Sequence, residues 1–441
     1  MMSVEATRFG GSFGEGRTDS PSGSVNRSEG VLEGVNADSL AARHGTPLQV
    51  YSANAIRNRI RSLHAALQGL DALVCFAAKA NSCHAILNLM AENGVGADIV
   101  SVGELERCLR AGISGSRMVF SGVGKTEAEM SRALECGVGR FNVESVDELD
   151  GLQRVAAQRG LIACAAVRVN PDVDALTHAK ISTGKAENKF GVGMSEARTW
   201  FEQARQRPNV RLDGLHVHIG SQILDLGPFR QALDRVAEFH RELVAAGHAI
   251  TSIDVGGGLG VCYREGHDHP PDVAAYVEVV RHALREFRGR IVLEPGRWLV
   301  AEAGVLLTRV IRVKQGEQRR FLIIDAAMND LLRPSLYEAW HDIVAVRQAS
   351  GPMIAYDIVG PVCETGDTFA LARELPECQA GDLLAIKTTG AYGTSMASSY
   401  NSRPLLAEVM IDDGRSALIR QRQSLDAMIA DEVTSPQWIS A

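Results

Sequence analysis

A lysine at the end of an apolar run is the first residue whose position suggests chemistry. The run from Val74 to Ala78 has the pattern of a buried strand, and Lys79 follows it directly, ahead of Asn81 and a helical pattern. A buried lysine can have a lowered pKa, which lets its amine attack a carbonyl and form an imine. A lysine that extends from the strand end into solvent is the alternative, and position alone leaves both open.

Glycines and an arginine elsewhere in the chain are suited to holding a phosphate. Gly256, Gly257 and Gly258 follow an apolar stretch, and such glycines let the backbone approach a ligand and present N–H groups to it. A tight turn would explain three glycines about as well. Arg297 follows another apolar stretch, and together with Ser221 it favours the phosphate interpretation.

A lysine, a phosphate site and a carboxylate together suggest pyridoxal phosphate as the cofactor. Lys79 would form the imine, and Glu294 would keep the pyridine nitrogen protonated, so that the ring can accept the electrons of a carbanion. His218 can stack on the face of that ring. We expect His216, two residues earlier, to make a hydrogen bond in the core instead.

Alternating strand-like and helix-like segments predict the elements that bring these residues together. The predicted strands are 73–78, 97–101, 118–121, 141–143, 162–169, 212–219, 253–255 and 291–294. About eight strands with helical patterns between them favour an α/β fold of the (β/α)8 barrel type. Barrels carry their sites at the carboxyl ends of the strands and often bind phosphate after the seventh and eighth, where the glycines and Arg297 lie.

The pattern changes after residue 302 and predicts a second, mostly antiparallel β-domain. Its predicted strands are 305–313, 320–325, 353–359, 369–371, 383–388 and 405–410, with helices at 335–344 and near 425–430. We predict four parts: a disordered tail over 1–35, a segment 36–54 whose strand joins the β-domain, the barrel over 55–304 and the β-domain over 305–441.

Composition and charge exclude several classes of protein. A net charge of -7 argues against nucleic acid as a partner, and no apolar run reaches the roughly 20 residues of a membrane span. The first 30 residues lack the apolar core of a signal peptide, and the eight cysteines lack CxxC pairs, so we expect a cytoplasmic protein with reduced thiols. Twelve histidines without HExxH spacing or a Cys/His cluster predict no metal site.

A series of motifs in the chain resembles those of the fold-type III pyridoxal-phosphate decarboxylases. In chain order they are FAAKANS, GADIVSVGELERCLRAG, ISTGKAENKFGVG, HVHIGSQ, DVGGGLG, LEPGRWLV, MNDLLRPSLYEAWHDI, GPVCETGD and GAYGTSMASSYNSRP. The family's motif order makes the resemblance specific, and it extends over nearly the whole chain beyond the predicted tail. It implies an alanine-racemase-like barrel followed by a β-domain.

The resemblance also implies roles for single residues. By this resemblance Lys79 forms the Schiff base with the cofactor, and His218 stacks on its ring. Ser221, Gly257 and Gly258 contact its phosphate, and Glu294 pairs with the pyridinium nitrogen. Tyr392 or Tyr400 would complete this shell, and we prefer Tyr392.

The family further implies a head-to-tail homodimer in which Cys363 and Glu364 reach the partner's cofactor. After loss of the α-carboxylate, Cys363 would donate the proton to Cα, because a thiol can act as an acid. The segment 177–193, rich in Gly and Lys, is predicted to be a lid. One departure is visible, because Thr365 stands where the family usually has serine, although the hydroxyl is retained.

Charged residues in the motifs indicate which amino acid is the substrate. A substrate that ends in a second amino-acid group needs cations for its distal carboxylate, and Arg297, Arg333 and Tyr337 supply such donors. Glu364 can take the distal ammonium. These residues favour the branch of the family that decarboxylates meso-2,6-diaminopimelate to L-lysine and CO2. Three other functions remain open: a paralogous decarboxylase that acts on another amino acid or on a carrier-bound amino acid, a binding protein that has lost catalysis, and a racemase-like enzyme. For Arg333 alone, the alternative role is a surface salt bridge.

Overall fold

The computed structural model describes residues 25–26, 31–175, 189–347 and 351–439. Most of the tail predicted over 1–35 and residues 177–188 of the predicted lid lie outside the described residues. In and beside that tail, three short strands form an antiparallel sheet; they are Val25–Asn26, Val31–Leu32 and Val35–Asn36.

Eight parallel strands in the described part of the chain close into a barrel, as predicted. They are Ala72–Ala77, Gly96–Ile99, Met118–Phe120, Arg140–Val143, Ala163–Arg168, Val210–His216, Ser252–Asp254 and Arg290–Leu293. Each strand pairs with the next, and the last pairs with the first through Leu293 and Val74. Parallel strands covered by helices are buried on both faces, which explains their continuous apolar sequences.

Helices follow the barrel strands and begin at side chains that cap them. The hydroxyl groups of Ser101, Thr126 and Ser145 each accept a hydrogen bond from the backbone of the first helical turn, which fixes where the chain leaves the strand. The helices described are Ala37–His44, Ala53–Ala66, His84–Glu92, Val102–Arg110, Glu127–Glu135, Val146–Arg159, Met194–Glu202, Leu226–Ala245, Val273–Ala283, Arg297–Val300, Arg333–Tyr337 and Leu425–Ile429. Within the described residues, none of them combines the length and the apolar content that a membrane crossing requires.

The sixth barrel strand ends earlier than predicted, so that His218 lies beyond the strand and not within it. It was predicted to run to residue 219, but it ends at His216. Beyond that point the Val217 N–H donates to the Asp254 carbonyl at 2.9 Å and the Ile223 N–H donates to the Gly258 carbonyl at 2.9 Å. The chain therefore turns toward the loop after the seventh strand, and His218 lies on this turn.

A second, mostly antiparallel sheet follows the barrel, as predicted. Its strands are Leu48–Ser52, Gly304–Gln315, Arg320–Ile324, Ile343–Ala345, Met353–Val359, Thr368–Pro376, Leu383–Lys387, Ala407–Asp412 and Arg415–Arg420. The early strand Leu48–Ser52 lies in the middle of this sheet, antiparallel to Gly304–Gln315 and parallel to Ala407–Asp412. The chain thus enters the second sheet before it builds the barrel.

The prediction of a helix over 335–344 is wrong for most of that range. The helix is Arg333–Tyr337, and it ends because Glu338 adopts the left-handed conformation, with φ 53°. Residues Ile343–Ala345 instead form a strand that pairs with Leu383–Lys387. The β-branched Ile343 and Val344 suit a strand better than a helix. The short helix predicted near 425–430 is confirmed, whereas the strand Arg415–Arg420 was not predicted.

Candidate active site

Lys79 lies on a single helical turn that continues the first barrel strand. Its Nζ donates to Oδ2 of the fully buried Asp98 at 2.5 Å, and its side chain, 41% exposed, opens into a cavity of about 730 Å³. Burial lowers the pKa of Lys79, but the charges of Asp98 and Glu294 outweigh burial and raise it overall. The amine is therefore an ammonium, and it must lose a proton before it can attack a carbonyl.

The carboxylate of Glu294 is fixed inside the barrel by partners from three other strands. Its Oε1 accepts hydrogen bonds from Asn142 Nδ2 at 3.1 Å and from Ser121 Oγ at 3.2 Å. Its Oε2 lies 3.3 Å from Nε2 of His216. Burial raises the pKa of Glu294, but His216 and Lys79 outweigh burial and lower it. The site thus holds an ionised carboxylate away from water.

A second buried acid, Asp254, connects Glu294 with the glycine loop. His216, Asp254 and Glu294 present atoms that all lie within 4.8 Å of one another. Burial and the charge of Glu294 raise the pKa of Asp254 well above its usual range, which favours the protonated form of this carboxyl. Its Oδ1 accepts the Gly256 N–H at 2.9 Å, which fixes the start of the loop.

His218 presents a neutral ring to the cavity. Its Nδ1 accepts the Gly257 N–H at 3.2 Å. Burial and the charge of Arg168 lower the pKa of His218 to about 3. A neutral imidazole on the cavity wall can stack on a planar ligand beside Lys79 without adding a charge there.

The glycine loop and Arg297 enclose a small space of about 70 Å³ next to the main cavity. Gly256 and Gly258 have φ of 68° and 109°, and a Cβ on Gly258 would lie 2.5 Å from the Gly220 carbonyl oxygen. Arg297 Nη2 donates to Ser221 Oγ at 3.0 Å. The Arg297 Nε is buried without a hydrogen-bond partner in the described residues. A cation with an unused donor beside a glycine loop fits a phosphate group.

Two buried arginines flank one tyrosine in the wall of the main cavity. The Arg333 guanidinium lies 4.2 Å from the centre of the Tyr263 ring, and the Tyr263 hydroxyl accepts from Arg297 Nη1 at 2.5 Å. Tyr337 lines the same wall. Over the described ranges, neither arginine forms an ion pair with a carboxylate of the chain. The wall is therefore suited to an anionic group of a ligand.

Arg168 and Phe190 form a further part of the cavity wall, and Phe190 lies within the segment predicted to be a lid. Arg168 Nη1 contacts Glu144 Oε1 at 3.0 Å, and its guanidinium lies 4.7 Å from the centre of the Phe190 ring. The other oxygen of Glu144 accepts the Gly191 N–H at 3.0 Å. A buried ion pair thus fixes residues 190–191, at the carboxyl end of that segment.

Comparison with known proteins identifies the family. Residues 53–301 match the model of the pyridoxal-dependent decarboxylases, pyridoxal binding domain. The chain is 50% identical over 411 residues to diaminopimelate decarboxylase of Zymomonas mobilis, covering 92% of this chain and 97% of the relative. It is 49% identical over 406 residues to the enzyme of the same name from Pseudomonas fluorescens, with the same coverage. The chain belongs to the diaminopimelate decarboxylase family.

Solved structures of diaminopimelate decarboxylases have the same fold. The Helicobacter pylori enzyme, complexed with L-lysine, superimposes with a TM-score of 0.86 at 42% identity and covers 90% of this chain and 98% of its own. The M. jannaschii enzyme, also in complex with L-lysine, gives a TM-score of 0.88 at 35% identity, over 92% and 96%. Both matches include the barrel and the second sheet.

As a member of the diaminopimelate decarboxylase family, the protein is a pyridoxal-phosphate-dependent carboxy-lyase. The site fits this cofactor by its chemistry. The glycine loop and the unused Arg297 Nε would hold the phosphate, and the ionised Glu294 would face the pyridine nitrogen. Lys79 supplies the amine and His218 the neutral ring.

The structure brings together ten of the residues predicted for the site of this decarboxylase and separates two from it. Those that line the two adjoining spaces are Lys79, His218, Ser221, Gly257, Gly258, Glu294, Arg297, Arg333, Tyr337 and Tyr392. Cys363 and Glu364 are exposed on the surface and do not line the cavity of their own chain.

The two candidate tyrosines lie in different places. The Tyr392 ring lies 4.8 Å from the Arg297 guanidinium, and its backbone N–H donates to the Ala80 carbonyl at 2.8 Å, next to Lys79. Tyr400 is 46% exposed and lies beside Glu364, whose hydrogen bond raises the pKa of this tyrosine. Tyr392 therefore borders the cavity, whereas Tyr400 belongs to the surface that carries Glu364.

Several residues of the site were not predicted from the sequence. Those in contact with predicted residues are Asp98, Ser121, Asn142, Arg168, Asp254, Tyr263 and His341. Asp98, Ser121 and Arg168 lie at or just beyond the carboxyl ends of barrel strands, so the rule that identified Lys79 would have found them if applied to every strand. His341 follows no such rule.

Proposed function

We propose that this enzyme decarboxylates meso-2,6-diaminopimelate and releases L-lysine and CO2. The observation that carries the proposal is the pair of buried guanidinium groups, Arg297 and Arg333, that flank Tyr263 in the cavity of Lys79. A substrate with a single carboxylate needs no second cation, whereas one that ends in a second amino-acid group has a distal carboxylate for Arg333 to bind. The binding of L-lysine by the Helicobacter pylori relative supports this assignment.

In this proposal the residues around Lys79 bind the cofactor and orient it. Bound pyridoxal phosphate supplies an electron sink for the electron pair that the departing α-carboxylate leaves behind. Lys79 would hold the cofactor through its amine. Glu294 holds a proton at the pyridine nitrogen, and His218 covers one face of the ring. Ser221, Gly257 and Gly258 would bind the phosphate, beside the unused Nε of Arg297.

Other residues of the cavity orient the substrate. Arg333 and Tyr337, with Arg297, bind its distal carboxylate from one wall. Tyr392 lies between Arg297 and the Lys79 turn, where it can contact both the cofactor and the substrate. Held in this way, the α-carboxylate is the group that can leave, because the distal one is retained by the arginines.

The site is proposed to be completed by a second copy of the chain in a homodimer. Cys363 and Glu364 are exposed on one surface, and the Cys363 N–H donates to Asn401 Oδ1 at 2.9 Å. From the partner subunit, Cys363 would protonate Cα after loss of CO2, and Glu364 would bind the distal ammonium. Since all eight cysteines are free thiols, we also propose a cytoplasmic location.

The role of Lys79 can be tested by spectroscopy. Lys79→Ala removes the amine, so we expect loss of the visible absorbance of the covalently held cofactor. The exposed Lys314→Ala is the matched control and should keep the band. Persistence of the band in Lys79→Ala would mean that a different lysine holds the cofactor.

The substrate can be tested by supplying purified enzyme and pyridoxal phosphate with meso-diaminopimelate, L-lysine or L-ornithine and measuring CO2 release. We expect much faster release from meso-diaminopimelate than from L-lysine or L-ornithine, with L-lysine as the product. Release from another of these amino acids, without release from meso-diaminopimelate, would instead assign the chain to a paralogous decarboxylase.

A further inference from the structure

His341 is enclosed beside the substrate wall and contacts Arg333 directly. Its ring is 1% exposed, and its Nε2 lies 2.7 Å from Arg333 Nη1. Its Nδ1 lies 2.8 Å from the carbonyl oxygen of Lys387, at the end of a strand of the second sheet. The ring also packs edge-on against Tyr263, with 5.0 Å between the ring centres.

The two partners of His341 determine which nitrogen carries its proton. The guanidinium of Arg333 can only donate a hydrogen bond, and the Lys387 carbonyl can only accept one. Nε2 must therefore offer a lone pair to Arg333, and Nδ1 must carry the hydrogen that it donates to Lys387. The ring is neutral in this arrangement, and burial and the charge of Arg333 hold the pKa of His341 well below its usual range.

A neutral partner for Arg333 has an electrostatic consequence. Buried arginines are usually paired with a carboxylate, which cancels most of the charge. Here Arg333 is held by an imidazole lone pair and a tyrosine ring, and no carboxylate pairs with it in the described ranges. Its position is thus fixed while its charge stays available to a ligand.

We infer that His341 is a positioning residue for substrate selection, which holds Arg333 through a neutral acceptor and so preserves its charge for the distal carboxylate of the substrate. This inference rests on the proposed function and adds a residue that does not itself touch the substrate. The backbone around His341 supports the role, because Arg373 Nη1 donates to its carbonyl at 2.9 Å and the next residue accepts the Lys387 N–H at 2.8 Å.

Two variants of His341 with side chains of nearly the same shape test whether the group that accepts the hydrogen bond of Arg333 must be neutral. His341→Gln can place a neutral amide oxygen near Nε2, whereas His341→Glu places a carboxylate there. We expect the KM for meso-diaminopimelate to stay within about threefold of wild type in His341→Gln and to rise by roughly tenfold or more in His341→Glu, with kcat changed less. Equal KM values in the two variants would overturn the inference.

Controls distinguish this role from a general loss of structure. His282→Ala changes an exposed histidine on a barrel helix and should behave as wild type. All variants should keep the visible absorbance of the cofactor, because His341 contacts none of the residues proposed to bind its phosphate or ring. L-Lysine, which retains the distal carboxylate, should inhibit His341→Glu more weakly than His341→Gln. Cadaverine, which has no carboxylate, should inhibit both equally; a parallel loss of cadaverine binding would indicate a merely structural effect.

A measurement without substrate tests the tautomer independently of the proposed function. In the ¹⁵N NMR spectrum of histidine-labelled holoenzyme, His341→Gln identifies the His341 signals by their absence. We expect an unprotonated Nε2 and a protonated Nδ1 across the pH range of activity. A doubly protonated ring would overturn the inference even if meso-diaminopimelate is the substrate, whereas failure of wild type to use meso-diaminopimelate would refute the proposed function first.

Discussion

The charge on Lys79 depends on two carboxylates, which belong to the two barrel strands on either side of the strand that leads to Lys79. Asp98 contacts the amine at 2.5 Å, and Glu294 adds to the negative potential from within the barrel. Together they outweigh the effect of burial and keep the lysine protonated. An ammonium cannot attack a carbonyl, so Asp98 is the acceptor best placed to take the proton when the cofactor attaches.

Replacing Asp98 with Asn should shift the pH dependence of cofactor attachment. Asp98 raises the pKa of Lys79, so its removal lowers that pKa and makes the amine neutral at a lower pH. We expect the attachment rate at a given pH below this pKa to rise by about tenfold or more, since a hydrogen bond between charged groups contributes roughly 1.5–3 kcal/mol. The return of visible absorbance in apoenzyme given pyridoxal phosphate measures this rate. An unchanged profile would remove Asp98 from the control of Lys79.

Single residues of the site could be predicted from the sequence where they follow the carboxyl end of a barrel strand. Lys79 and Glu294 each end an apolar run, and both line the cavity. His341 could not be found in this way, because its role comes from contacts with Arg333 and with the Lys387 carbonyl of another strand. The neutral ring that these contacts require is a property of the folded chain, and no residue pattern encodes it locally.

At the scale of elements, the Lys79 turn is attached to a loop of the second sheet. Asn81 Nδ2 donates to the Gly390 carbonyl at 3.0 Å, and Tyr392 and Ser395 both donate to the Ala80 carbonyl. The loop that carries Tyr392 is thereby fixed to the turn that carries the lysine. The two parts of the chain are more than 300 residues apart, so the second sheet contributes directly to the order of the barrel site.

Asn81→Ala should weaken this attachment. Asn81 is 2% exposed, and its loss leaves the buried Gly390 carbonyl without this donor, at a cost of about 1–3 kcal/mol in the free energy of unfolding. Urea denaturation monitored by circular dichroism measures the change. Asn88→Ala is the matched control, because Asn88 is exposed and its side-chain hydrogen bond is 3.4 Å long. A loss of stability no larger than in this control would contradict the account.

Helices and strands could be predicted where the same alternation of strand-like and helical patterns continued along the chain. They were mispredicted where a pattern covered only a few residues. The eight barrel strands are separated by helical patterns, and all of them were located. The pattern over 335–344 contains helix-forming residues and then β-branched ones, and Glu338 interrupts it with a left-handed backbone. Pairing of Ile343–Ala345 with Leu383–Lys387 overrides local propensity there, and sequence periodicity does not report such a distant partner.

At the scale of the whole molecule, the barrel supplies the proposed cofactor site, and the chain after the barrel adds Arg333 and Tyr337 to the proposed substrate wall. Arg333 and His341 follow the strand Arg320–Ile324, whereas Lys79 and Glu294 lie just beyond the ends of barrel strands. The succession of the two architectures could be predicted because the strand–helix alternation stops near residue 302. Their mutual placement could not, because it depends on the strand Leu48–Ser52, which joins the second sheet from before the barrel.

The proposed homodimer can be tested by mixing two inactive variants. Lys79→Ala removes the cofactor lysine, and Cys363→Ala removes the proton donor that the partner subunit would provide, with cofactor binding kept. Random exchange makes half of the dimers mixed, each with one intact site, so activity should return to about a quarter of wild type. Analytical ultracentrifugation verifies the dimer. No recovery of activity after verified exchange would place both residues in the site of one chain.

The selectivity conferred by Arg333 is the most direct test of the account. It is measured as the ratio of kcat/KM for meso-diaminopimelate to that for L-lysine, in wild type and in Arg333→Met, which keeps the length of the side chain and removes its charge. We expect a high ratio in wild type and a fall of roughly 100-fold in the variant, because a buried charged hydrogen-bond partner of the distal carboxylate is lost. A variant that kept the wild-type ratio would contradict the assignment of this wall to the distal carboxylate.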